Sequence, residues 1–177
     1  MKPYIFVDLD ETLIHTYDSH ETPCKCAVPV TVEDVEFKTS LRPGALEFLA
    51  KLREIGEVRM LTVATYDYAV EMNRLFDLSF AEKDIYARHH IQAPTIDLKP
   101  AEFVYLFDNL ALRENRRKIE FLRCVTANKL PSYIQVKEYR GGQRFPFDTD
   151  EINRLTSTLH GSNRNTEESS ERALYTT

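Results

Sequence analysis

Apolar residues in this chain fall into short continuous runs that alternate with amphipathic stretches. YIFVDL (residues 4–9) has no polar face and reads as a strand buried within a parallel sheet. Val28–Val32 and Val35–Lys38 alternate around Glu33-Asp34 and predict a β-hairpin. LRPGALEFLAKLREIG predicts a helix, with Pro43 in its first turn, Leu46, Leu49 and Leu52 on its apolar stripe and Gly56 as its stop. EVRMLTV is the next strand, and Tyr66 to Phe76 the helix after it. FVYLFDN (103–109) repeats the opening, an apolar strand that ends in an acid. SYIQVKEY predicts a further strand, and TDEINRLTSTL a helix capped by Thr149 or Asp148.

This alternation of strands and helices predicts an α/β fold, a Rossmann-like parallel central sheet flanked by helices. The hairpin becomes a small flap after the first strand. Ligands of such sheets bind outside the carboxyl ends of the strands. Asp8 with Asp10, Thr62, and Asp108 with Asn109 all fall at strand ends, so three strands deliver polar groups to one edge.

Length and charge narrow the function. The 177 residues predict one domain over 1–160, and the Ser-, Asn-, Thr- and Glu-rich stretch 161–177 reads as a disordered tail. A net charge of −5 argues against a general nucleic-acid coat protein. No apolar stretch reaches membrane-spanning length, and the N-terminus lacks a signal-peptide pattern, so a cytoplasmic protein is expected, with the nucleus an alternative if the source is eukaryotic. Cys24, Cys26 and Cys124 lack zinc-knuckle spacing and read as reduced thiols. The histidines show no metal-ligand spacing.

Two aspartates one residue apart repel unless something shares their charge. A divalent cation does: Mg²⁺ takes oxygen ligands, typically one or two carboxylates, water and a phosphate oxygen. Asp8 and Asp108 suit that role, with Asp8 left ionised as a nucleophile. Asp10 is then placed to give a proton to the leaving oxygen and later take one from water.

DLDETL (8–13) resembles the first motif of haloacid dehalogenase superfamily phosphatases. DLDETLIH, the VPVTVEDVEF hairpin, LRPGALEFL, LTVATYDYA and FDN together resemble the RNA polymerase II C-terminal-domain phosphatases, a family that includes the NLI-interacting factor-like proteins. The resemblance covers roughly residues 4–160. It implies Asp8 as nucleophile, Asp10 as general acid/base, Thr12 as support for the loop, and Asp8, Asp10 and Asp108 as the Mg²⁺ site. Thr62, with Thr65 as rival, matches the hydroxyl that binds the phosphoryl group, and Asn109 follows the metal-ligand aspartate as in the phosphatases.

The third motif departs from the pattern. The family lysine that offsets charge has Lys99 as its best counterpart and Lys83 as the alternative, with a solvated lysine equally open. Arg88 is a further residue able to reach phosphate. Arg113, Arg116, Arg117 and Lys118 form a basic stripe that reads as the solvated face of a helix.

The segments between motifs leave no room for a full cap domain. The resemblance therefore implies a phosphorylated protein or a nucleic-acid end as substrate, with no membrane and no obligate protein partner expected. The leading expectation is a Mg²⁺-dependent phosphomonoesterase that forms an aspartyl-phosphate on a phosphoserine or phosphothreonine protein. The alternatives are a nucleotide or polynucleotide 3′-phosphatase and a catalytically weak phosphate-binding module.

Overall fold

The computed structural model describes residues 2–159 apart from Asp97. The proposed tail, 161–177, lies outside the described residues. Five parallel strands form the central sheet: β1 (Tyr4–Val7), β5 (Glu57–Leu61), β6 (Ile85–Tyr86), β7 (Val104–Asp108) and β8 (Ser132–Gln135). Their order is β6-β5-β1-β7-β8, which puts the first strand in the centre. Its neighbours β5 and β7 lie on opposite sides, so the chain winds both ways from β1. The crevice at its carboxyl end is where such sheets bind ligands.

Strand side chains alternate between two faces. Ile5, Val7, Tyr105 and Phe107 point into one core with Phe48, Leu49 and Leu52 of α1 (Ala45–Ile55), Ala69 and Met72 of α2 (Tyr66–Leu75), and Ile152 and Leu155 of α5 (Thr149–Thr156). Tyr4, Phe6, Val104 and Leu106 point into the other. There they meet Phe121, Leu122 and Val125 of α4 (Arg116–Val125) and Ile91 of α3 (Arg88–Gln92). The unbroken apolar run at 4–9 is thus a strand covered on both sides.

The expected hairpin belongs to a larger unit. β3 (Val28–Val32) and β4 (Val35–Leu41) pair around Glu33 and Asp34, whose φ values of 48° and 66° suit a two-residue turn of primed type. β4 runs past Lys38 to Leu41, and β2 (Ile14–Tyr17) pairs with its far edge, giving a three-stranded antiparallel sheet. IHTY lacks the length and alternation that would have marked it as a strand.

α1 starts one residue after a left-handed Gly44 (φ 81°), so Pro43 precedes the helix. Gly44 is required there: a Cβ would collide with the carbonyl of Phe147, whose N–H donates to Pro43 O at 2.7 Å. The buried stripe of α1 is Ala45, Phe48, Leu49 and Leu52, while Leu46 is exposed. The segment 132–139 gives only four strand residues, after which the chain turns to cover the first loop. Cys24 and Cys26 form a disulfide between β2 and β3, contrary to the reduced thiols expected, because sequence spacing does not fix redox state. His89 and His90 lie in α3, their ring centroids 3.8 Å apart, where a strand would have put them on opposite faces.

Candidate active site

Val7 pairs with Met60 of β5 and Phe107 of β7. One residue further along stand Asp8, Leu61 and Asp108, with Thr62 next, so the register itself assembles the expected carboxylates and hydroxyl at one edge. The Asp8 N–H donates to Phe107 O at 2.9 Å, extending the ladder to the aspartate.

After Asp8 the chain curls tightly. The N–H groups of Leu13 and Ile14 both reach the Leu9 carbonyl, at 2.9 and 3.2 Å, and Glu11 sits at φ 60°. Arg42 holds this loop from behind. Fully buried, its guanidinium donates to the carbonyls of Thr12 (3.1 Å), Lys137 (2.7 Å) and Phe145 (2.7 Å), and lies 4.0 Å from the Phe147 ring centroid. Burial pulls its pKa down to about 10, still charged at neutral pH.

The residue that fills the space between the carboxylates is Lys118. Its Nζ lies 2.7 Å from Asp8 Oδ1 and 2.7 Å from Asp108 Oδ2, and all three side chains are buried. Burial disfavours the ammonium, but the two carboxylates outweigh it and its pKa is raised. For Asp8, burial dominates and Asp108 adds repulsion, so its carboxyl is pushed up despite Lys118.

The second Asp8 oxygen accepts the Thr12 hydroxyl at 2.9 Å. That hydroxyl has a single proton, so the neighbouring Asn109 amide faces it with its NH₂. In that orientation Asn109 donates to Thr12 Oγ1 (3.2 Å), Asp8 Oδ2 (3.0 Å) and the Asp10 carbonyl (3.2 Å). Asp108 Oδ1 accepts from the Leu110 N–H at 3.0 Å.

Asp10 faces α2, where the Tyr68 hydroxyl donates to its Oδ1 at 2.7 Å. Burial raises its pKa against the Tyr68 hydrogen bond and the charges of Lys118 and His15, which favours a protonated carboxyl. Thr62 Oγ1 accepts from the Ala64 N–H at 3.1 Å, which leaves its own proton for a ligand. Thr65, the rival, caps α2 by accepting from the Tyr68 N–H.

Neither lysine expected from the sequence lies here. Lys99 is exposed in the segment before β7, and Lys83 is exposed in the short 3₁₀ turn Glu82–Asp84. The charge comes instead from the third residue of α4, after the Asp108 strand rather than before it. Lys118 departs from the solvated face expected for the stripe Arg113, Arg116, Arg117 and Lys118: it is buried while the three arginines are exposed. The usable signal was its spacing: Lys118, Phe121, Leu122 and Val125 share one helical stripe, and a lysine on an apolar stripe must be buried against an acid. Arg88 is exposed at the same sheet edge, its Nε donating to Val63 O at 2.9 Å.

Among the described residues, no three His, Cys, Asp or Glu side chains converge to hold a metal by themselves. Asp10, expected at the metal site with its side chain turned elsewhere, directs its carboxyl to Tyr68. The donor set still suits Mg²⁺, which needs only one or two carboxylates. Asp8 and Asp108 are such a pair, and Lys118 leaves them with a net negative charge.

Residues 3–105 match the NLI interacting factor-like phosphatase family, a match that stops short of Asp108 and Lys118. No curated protein matches the chain significantly. Among solved structures, Fcp1, an essential RNA polymerase II CTD phosphatase, aligns with a TM-score of 0.54 and 17% identity over 88% of this chain. A fission yeast Fcp1 variant bound to beryllium fluoride aligns at 0.52 and 16% over 89%. This chain spans about half of each, 48% and 52% respectively. At such identities the likeness speaks for the fold: a five-stranded parallel sheet with flanking helices and a small antiparallel sheet. The match over residues 3–105 carries the assignment: this chain belongs to the NLI interacting factor-like phosphatases.

Proposed function

We propose that the protein is a Mg²⁺-dependent phosphomonoesterase that passes through a phospho-Asp8 intermediate and acts on phosphoserine or phosphothreonine in protein segments. The observation that carries this reading is the buried Asp8, held at the central crevice by Lys118, Thr12 and Asn109.

One Asp8 oxygen attacks phosphorus in line while the bond to the serine or threonine oxygen breaks. Asp10, whose pKa burial shifts upward, gives its proton to that leaving oxygen. Asp10 then takes a proton from the water that attacks the phosphoryl group, releasing phosphate and restoring Asp8. The Thr62 hydroxyl and Arg88 bind phosphoryl oxygens, and Lys118 offsets charge on nucleophile and phosphate. A magnesium ion held by Asp8 and Asp108 supplies further charge neutralisation when bound.

A macromolecular substrate is favoured by the segments around the site. Between β1 and β5 lie only the three-stranded sheet and α1; between β5 and β7 lie α2, β6 and α3. The name of Fcp1, a phosphatase of the polymerase C-terminal domain, points the same way.

The test is hydrolysis of an aryl phosphate and of phosphoserine peptides with Mg²⁺ and with chelator. Turnover that needs Mg²⁺ and disappears in Asp8→Asn is expected. Near-normal turnover by Asp8→Asn would remove the nucleophile from this account.

A further inference from the structure

A groove of about 850 Å³ opens beside the catalytic edge. Its floor is apolar, from Val63, Ile91 and Phe121, and its rim carries Arg88, Arg116 and Arg117. Val63 follows Thr62 directly and is half exposed, so the floor continues from the phosphoryl site. On the opposite wall, Arg117, Glu120, Phe121 and Cys124 share one face of α4 by helical spacing. Lys118, a third of a turn away, reaches Asp8. One helix thus serves the catalytic carboxylates with one side and the groove with the next.

The charge of this groove runs against that of the chain. The net charge overall is −5, yet three guanidiniums gather here. Among the described residues no carboxylate lies within ion-pair distance of Arg88, Arg116 or Arg117. Glu120, the acid in the lining, is bridged to Arg123 at 3.3 Å. Cations without an acidic partner around an apolar floor match an anionic ligand with an aliphatic body.

We propose that this groove binds a second phosphoserine of the substrate, close to the phosphoserine being hydrolysed. The inference rests on the phosphoprotein reading above. A peptide suits the groove better than a polynucleotide. The one aromatic ring in the lining, Phe121, is 1% exposed and offers no face on which a base can stack. Arginine forks suit phosphate oxygens bidentately, and the floor accepts intervening side chains.

The experiment compares two peptides, one with a single phosphoserine in a neutral sequence and one with a second phosphoserine about two to four residues away on either side, a span of roughly 7–14 Å. The unaltered chain is expected to favour the doubly phosphorylated peptide by roughly tenfold in kcat/KM, mostly through KM, and less so at high salt. Arg116→Ala/Arg117→Ala should erase that preference. Its rates on the single-phosphate peptide and on an aryl phosphate should stay within about twofold of the original, as for exposed substitutions. Absence of the preference, its survival in the double variant, or tighter binding of a 3′-phosphorylated oligonucleotide would overturn the proposal. Fluorescence anisotropy of both peptides on the Asp8→Asn chain reads the groove without turnover. A chain that hydrolyses nothing yet discriminates the peptides would refute the proposed catalysis and leave the groove standing.

Discussion

Lys118 carries its charge where almost no water reaches, and two aspartates keep it there. Removing one partner from such a cluster leaves the others buried and uncompensated, at a cost of about 3–5 kcal/mol. Lys118→Met should therefore lower both stability and rate. We expect kcat/KM to fall by roughly two to three orders of magnitude in protein shown to be folded by circular dichroism. Lys99→Ala and Lys83→Ala, at exposed positions, should be nearly silent in the same assay. A crippled Lys99→Ala beside an active Lys118→Met would reverse the assignment.

Asp10 gives a second test at this scale. Burial shifts its pKa upward against the hydrogen bond from Tyr68, the direction that suits a proton donor. Asp10→Asn should hurt alkyl phosphates far more than activated aryl phosphates, because only poor leaving groups need the proton. The pH profile has a sign to match. The acid acts while protonated, so turnover of alkyl phosphates should fall as pH rises through the raised Asp10 pKa. Equal losses on both substrate types would end the general-acid role.

At the scale of elements, β2 couples the first loop to the segment that follows it. His15, buried in β2, meets Glu11 Oε2 at 2.6 Å through Nδ1 and Glu21 Oε2 at 2.7 Å through Nε2. Burial alone would lower its pKa, but the two glutamates outweigh burial and raise it. A raised folded-state pKa stabilises the fold below the unfolded value of about 6.5, and that contribution is lost as pH climbs through the folded value. The urea midpoint is expected to decline as pH rises above about 6.5, and His15→Gln should flatten that decline. An unchanged slope in the variant would assign the pH dependence to other groups.

On the whole-molecule scale, two unrelated requirements meet at one edge. Burying both faces of the sheet demands helices on each side, and the central strand then opens its carboxyl end between β5 and β7. Between the described core strands the chain inserts only the small three-stranded sheet and α1 to α4 beside turns and loops, so substrate size should matter little to access. A phosphoserine within a folded protein is expected to be hydrolysed within about tenfold of the same site in a free peptide, since only local fit separates them. Phosphate release from matched substrates measures this, and a loss of several orders of magnitude on the protein would reveal a closed site.

Local patterns were enough for some of this. The unbroken run at 4–9 and its echo at 103–108 marked strands covered on both sides, and the aspartates at their ends do lie at one sheet edge. The turn at Glu33-Asp34 and the helix stop at Gly56 were likewise legible, because turns and caps depend on a few neighbouring residues. Charge and partners were not legible in the same way. Helical spacing marks Lys118 as facing inward, but which acid it meets depends on which strand its helix packs against. Lys118 meets Asp8 across 110 positions and Asp108 across 10, distances that no local pattern encodes. The same holds for Tyr68 on Asp10 and for Arg42 on the carbonyls of Thr12, Lys137 and Phe145. Periodicity determined which residues face inward; only the packed fold decided which of those inward charges meet.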